Sequence, residues 1–167
     1  MGPEELRRQA QLEDHHFWYA ARRRQVARRL PRPARAGARA LDLGAGSGGN
    51  TPLLTAAGYG AVALEHHPVA AAYTRGRGLP VVQADGQRLP FADSSFDLVL
   101  ACDVLEHLHR DDQAVQEVRR VLRPGGHLVL TVPADPALWS AHDEALHHVR
   151  RYTRESLTDL LAGQGMQ

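Results

Sequence analysis

The chain has 167 residues, 43% hydrophobic and 23% charged, which fits one globular domain and excludes a disordered or fibrous protein. Its 20 basic residues are all arginine and nearly balance 19 acidic ones for a formal net charge of +1, so no global charge marks a nucleic-acid or acidic partner. A single cysteine, Cys102, excludes an internal disulfide and a multi-thiolate zinc site. The apolar runs are of strand length, far short of the roughly 20 residues of a membrane span, and with a polar amino terminus they predict a soluble cytoplasmic domain.

Charge is unevenly placed. Residues 1–39 hold ten arginines and four acids, +6, whereas residues 40–167 hold ten arginines and fifteen acids, −5. Up to Leu30 the segment reads as helix, with Leu6, Ala10 and Leu12, then Phe17-Trp18-Tyr19, Val26 and Leu30 among the arginines, and Pro31 and Pro33 end it. A solvated face on a capping helix is the expectation for those arginines. The division predicted is a helical cap over 1–37 and a main domain over 38–167.

From residue 38 short apolar runs alternate with helical stretches, the pattern of successive βαβ units on a parallel sheet. Strands are expected at Ala38–Leu43, Ala61–Leu64, Val81–Ala84, Phe96–Ala101 and His127–Val132. Helices are expected near 49–57 and from Pro68 to about Arg75, and another after Asp111 or Asp112 as its cap, stopped by Pro124-Gly125-Gly126. A loop from Pro133 to Tyr152 leads to a short helix capped by Thr153. The fold class is therefore α/β, a Rossmann-like doubly wound, mostly parallel sheet with five strands and an amino-terminal helical cap.

The segment Leu41-Asp42-Leu43-Gly44-Ala45-Gly46-Ser47-Gly48-Gly49 carries the first strand into a glycine turn and a helix. Such a turn lets backbone approach a ligand and aims free amides at it. Gly44, Gly46 and Gly49 satisfy the dinucleotide spacing, and Glu65 follows 21 residues after Gly44. The acid ahead of the loop argues against a dinucleotide, because Asp42 would meet a pyrophosphate. Acids there favour instead a ligand with a cationic end. Glu65 ends the second strand, where a carboxylate can accept both ribose hydroxyls, and Asp85 ends the third, within reach of an adenine amino group.

With LDLGAGSGG at 41–49, Glu65, ADGQRLPF at 84–91, FDLVLACDVLEHL at 96–108 and VLRPGGHLVLTVP at 121–133, the sequence resembles the class I S-adenosylmethionine-dependent methyltransferases, in the small-molecule branch that includes ubiquinone and menaquinone biosynthesis enzymes. The resemblance implies S-adenosyl-L-methionine as cofactor, with Asp42, Gly44, Ala45 and Gly46 around its methionine part. Glu65 and His66 would then flank the ribose, Asp85 and Gly86 the adenine, and Cys102 the cofactor's side. The segment His15-His16-Phe17-Trp18-Tyr19 looks like one that folds over the cofactor in some relatives.

Methyl transfer is an in-line displacement that needs alignment and, for a hydroxyl or amine acceptor, a base. His142 is the first candidate for base or acceptor contact, with Asp143 and His107 beside it as catalytic candidates. Asp103-x-x-Glu106-His107 resembles an arrangement by which certain metal-dependent relatives hold magnesium, with His142 as a fourth ligand, but Asp stands where those have Glu, and no metal is expected. The acceptor expected is a small molecule and not nucleic acid, since Ala101-Cys102-Asp103-Val104 replaces the Asn/Asp-Pro-Pro-aromatic loop of base-methylating enzymes. An NAD(P)-dependent oxidoreductase and a non-catalytic cofactor-binding domain are the alternatives. The resemblance also implies a sixth and seventh strand beyond Gly165-Met166, so the chain reads as cut short at its carboxyl end, with a bare fifth-strand edge through which a homodimer could form.

Overall fold

The structure is a computed structural model that describes Ala10, Leu12, Glu13 and residues 16–166; Leu6 and His15, part of the expected amino-terminal helix and aromatic segment, lie outside the described residues. Five strands, β1 (Arg39–Leu43), β2 (Gly60–Glu65), β3 (Val81–Gln83), β4 (Phe96–Cys102) and β5 (Leu122–Thr131), pair in parallel in the order β3-β2-β1-β4-β5. The strand order reverses between β1 and β4, which opens a crevice at the carboxyl edge of the sheet. The helices are α1 (Phe17–Ala27), α2 (Thr51–Ala56), α3 (Pro68–Gly76), α4 (Asp111–Val121), α5 (Ala141–Ala145) and α6 (Arg154–Gly163). None is long and apolar enough to cross a membrane.

The unbroken apolar run of β4 follows from burial on both faces. Val99 and Ala101 join Leu41, Leu43 and Leu64 in a cluster that includes Val118 and Val121 of α4. Leu98, Leu100 and Cys102, on the alternate positions, pack with Ala38, Ala40, Leu54 of α2 and Val26 of α1. The amino-terminal helix thus covers one face of the sheet through Val26, the one residue it buries. Arg35 reinforces that attachment by gripping Asp97 with Nε and Nη2 at 2.9 Å each, while the Arg39 amide and Arg123 Nη1 donate to the same carboxylate at 2.8 Å. Arginines of the +6 segment are therefore drawn to acids of the −5 remainder. Arg24, Arg28 and Arg32 remain exposed, as a solvated face requires.

Each expected element is present, with shifted ends. The α4 helix ends at Val121, ahead of Pro124-Gly125-Gly126, and runs straight into β5, which starts five residues before the expected His127 by pairing Leu122 with Phe96. The glycines then serve an irregularity in the strand: Gly125 has φ +76°, and a Cβ on Gly126 would lie 2.9 Å from the Arg123 carbonyl oxygen. Neither Asp111 nor Asp112 caps α4. The cap position is Arg110, without a side-chain cap bond, and both aspartates sit in the first turn, where negative charge complements the helix dipole. Asp111 is taken instead by the Tyr152 hydroxyl at 2.8 Å and Arg150 at 2.7 Å. Thr153 does cap α6, accepting from the Ser156 amide at 3.0 Å. The expected loop 133–152 contains a 3-10 turn at Pro136–Leu138 and α5, closed at its base by a bridge between Ala134 and Tyr152. Among the described residues the β5 strand has a neighbour on one side only, with Leu128 and Leu130 half-buried.

Candidate active site

The glycine loop after β1 is left-handed at Gly44, Gly46 and Gly48, with φ of +66°, +58° and +83°. At Gly44 the need for glycine is steric as well, because a Cβ would stand 2.6 Å from Val104 Cγ2. The loop is pinned to β2: Ala45 donates its amide to the Leu64 carbonyl at 3.0 Å and Gly46 donates to Glu65 Oε2 at 2.8 Å. Glu65 Oε1 accepts the His67 amide at 2.7 Å. Glu65 is half-buried at the end of its strand, and His66 beside it is exposed.

Asp42 is 1% exposed, and its Oδ2 accepts the Thr51 hydroxyl at 2.6 Å, which joins the end of β1 to the first turn of α2. Burial pushes its carboxyl up to about 7, with a smaller opposing effect from Thr51 and further raising by Glu13 and Glu65. Asp85 lies two residues past β3, exposed, and accepts the Gln87 amide at 2.8 Å. Gly86 is buried against β1, its Cβ position 3.3 Å from Leu43 Cδ1. Cys102 is buried at the end of β4, and burial followed by the Asp42 charge pushes its thiol up to about 12, so it is an inert wall residue. Asp42, Glu65 and Cys102 thus stand at the carboxyl ends of β1, β2 and β4, and Asp85 just past β3, on one edge of the parallel sheet.

Two residues at this edge carried no sequence signal, because their contacts are long-range. Glu13 is 7% exposed and hydrogen-bonds the Ser47 hydroxyl, and its Oε2 lies 2.9 Å from where a Cβ on Gly49 would be. Arg22 pairs with Asp103 and stacks over Trp18 and Tyr19, with its guanidinium carbon 4.8 and 5.3 Å from the ring centroids. The α1 segment therefore reaches the glycine loop and the end of β4.

On the other side of the crevice lie the three catalytic candidates. His142 is exposed on α5, where its amide donates to Ser140 Oγ at 3.3 Å and its carbonyl accepts the Leu146 amide at 3.1 Å. Asp143 is turned inward with 0% exposure: Arg151 donates Nε and Nη2 to it at 2.8 Å each, the Ser140 amide donates at 2.9 Å, and His148 Nδ1 lies 2.9 Å from Oδ1. Arg151, first among these, holds the carboxyl well below the usual range. With its oxygens so occupied, Asp143 orders the segment and has no free lone pair aimed at the crevice. His107 is exposed, with its ring centroid 4.8 Å from that of His148, and burial and His148 lower its proton affinity. Glu106 beside it is fully buried, and neither carboxylate oxygen has a hydrogen-bond partner among the described residues; burial pushes it up to about 8. Asp103 is turned away, accepting the Thr131 hydroxyl at 2.9 Å and paired with Arg22, so Asp103, Glu106 and His107 do not converge as the magnesium arrangement requires.

Residues 41–130, more than half the chain, match the family described as the methyltransferase domain. The chain belongs to that family. A protein of Mycolicibacterium vanbaalenii named "Uncharacterized methyltransferase" is 37% identical over 119 residues, 69% of this chain and 47% of the relative. "Probable S-adenosylmethionine-dependent methyltransferase Rv3030" of Mycobacterium tuberculosis is 30% identical over 158 residues, 92% of this chain and 57% of the relative. The chain spans about half the length of such relatives. A crystal structure of a SAM-dependent methyltransferase from Thermotoga maritima superposes with a TM-score of 0.81 at 23% identity, covering 98% of this chain and 78% of that one, which bears out the α/β, Rossmann-like fold. The family match runs from the end of β1 through most of β5, so it includes Asp42, the glycine loop, Glu65, Asp85 and Cys102.

Proposed function

We propose that this chain binds S-adenosyl-L-methionine at the carboxyl edge of its sheet and transfers the methyl group to an O, N or C atom of a small-molecule acceptor. The observation that carries the reading is the placement of Asp42 and Glu65 at the carboxyl ends of β1 and β2, and of Asp85 just past β3, around a left-handed glycine loop. Asp42 with Gly44, Ala45 and Gly46 would take the methionine part, where buried negative charge complements the sulfonium and ammonium groups. Glu65 and His66 would take the ribose, Asp85 and Gly86 the adenine, and Cys102 would form the wall. In the reaction the sulfonium–methyl bond breaks as the acceptor–methyl bond forms, and S-adenosylhomocysteine leaves. His142 has the exposure to meet an acceptor and take its proton; Asp143 positions that loop, and His107 borders it.

Residues 1–37 would serve as the cap and 38–167 as the cofactor domain, in a reducing cytoplasmic setting that suits a free thiol. The one-sided β5 edge is the surface through which two copies would pair. Calorimetric titration with S-adenosylhomocysteine and, separately, NAD tests the reading. Saturable binding of the former is expected. Binding of NAD alone would assign an oxidoreductase, and cofactor binding without transfer to any acceptor would leave a non-catalytic domain.

A further inference from the structure

We infer that Glu106, His107 and His148 form a binding site for one divalent ion of the zinc class, in which His148 stands where the magnesium arrangement weighed above would use Asp103. One ligand atom from each of the three side chains lies within 4.8 Å of the others. The second, independent observation is Glu106 itself. It is 0% exposed, and both its oxygens lack a hydrogen-bond partner among the described residues. Buried carboxylates are ordinarily satisfied by donors or by a cation, and an unsatisfied one costs the full desolvation penalty. A ring nitrogen of His107 and one of His148 lie within 4.8 Å of one of its oxygens.

The surroundings of His148 fit the same role. Arg151 keeps Asp143 ionised, so Asp143 accepts and does not donate, and the proton in the 2.9 Å contact sits on His148 Nδ1. In the neutral ring that binds an ion, that tautomer presents the Nε2 lone pair, and a carboxylate behind an imidazole is the usual support of a metal-binding histidine. His107 is exposed, which gives an ion a route in from solvent. The donor set decides the ion. Asp103 is committed to Thr131 and Arg22, leaving two nitrogens and one carboxylate, which suit zinc or its stand-in cobalt and not oxygen-seeking magnesium. Three protein ligands leave a coordination position open, as in catalytic rather than structural zinc sites. The inference stands on these side chains alone and does not depend on the cofactor reading.

The test uses the untagged full chain, stripped with a chelator and titrated with zinc chloride or magnesium chloride in a calorimeter, with cobalt chloride followed by its visible absorption. Expected are one zinc per chain, visible cobalt bands of a nitrogen-bearing site, and no saturable magnesium. His107→Ala, at an exposed position, should abolish the cobalt bands. Asp143→Asn should weaken zinc by about 10- to 100-fold, while Asp103→Asn leaves it unchanged. Absence of saturable zinc, zinc affinity untouched by His107→Ala, or magnesium binding that Asp103→Asn removes would each overturn the inference.

Discussion

Glu65 accepts the Gly46 amide at 2.8 Å from 19 residues away, so the last residue of β2 fixes the curvature of the glycine loop after β1. Its other oxygen holds the His67 amide at 2.7 Å, and one carboxylate therefore sets both the loop and the entrance to α3.

Replacing Glu65 should affect binding through geometry as well as through lost contacts. Glu65→Ala is expected to weaken S-adenosylhomocysteine by roughly 1–3 kcal/mol, the range for losing a charge-assisted bond. Glu65→Gln, which keeps one acceptor oxygen, should lie between. Calorimetry on both variants reads this directly, and equal affinity in wild type and Glu65→Ala would remove Glu65 from the site.

Asp42 makes opposite demands on folding and on binding. Its carboxyl is raised by burial to about 7, above its value in the unfolded chain, so the folded state holds a proton that the unfolded state has released. Stability should therefore fall as pH rises from the ordinary carboxylate range to about 7 and level off above it. Asp42→Asn should flatten that slope and raise stability at pH 8 by roughly 1–4 kcal/mol. A cationic cofactor prefers the ionised form, so affinity for S-adenosylmethionine should climb between pH 6 and 8 in the wild type and lose that climb in the variant. Urea unfolding across this interval checks the first statement and titration the second. A slope that persists in Asp42→Asn would assign it to another group.

Gly44 and Gly78 both have positive φ, +66° and +74°, but differ in their surroundings. Gly78→Ala meets nothing within 4 Å and should cost only the backbone strain, about 1–2 kcal/mol. Gly44→Ala adds the collision with Val104, so its midpoint of thermal unfolding should drop further and cofactor binding should be lost. Val104→Ala in the same chain should recover part of the stability. Equal losses at the two glycines would mean that Val104 yields freely.

Arg151→Met would leave the Asp143 carboxylate buried with only His148 and Ser140 to hold it. Amide hydrogen exchange over residues 140–152 is expected to accelerate, while exchange in β1 and β4 stays slow. Unchanged protection over 140–152 would show that the segment is held by its backbone bonds alone.

The sheet was legible because the central strand, buried on both faces, had to be apolar nearly throughout and because short side chains with a hydroxyl mark helix starts; Phe96–Ala101 and the Thr153 cap follow from those demands. The junction of α4 with β5 was not, because the Phe96–Leu122 pairing that lets β5 start early is a tertiary contact with no local pattern. Asp111 reads as a cap by type, yet Tyr152 and Arg150, some 40 residues on, claim it. At the site, Asp42, Glu65 and Asp85 could be placed from strand ends alone. Glu13, Arg22 and the inward turn of Asp143 could not, since each depends on a partner far along the chain or on a buried arginine.

Residues 133–152 leave the sheet and return to it through a narrow neck: the Tyr152 amide donates to the Pro133 carbonyl at 3.0 Å, and the Asp135 amide donates to the Tyr152 carbonyl at 2.9 Å. Val149 and Arg150 also fasten the excursion to Glu106 and Asp111, so changes of length are expected to be tolerated ahead of them, over residues 136–147, because closing a longer excursion across a fixed neck costs little extra. Under the proposed function this excursion is a cassette on a constant frame, and swapping 136–147 between relatives is expected to change the acceptor while leaving cofactor affinity as it was.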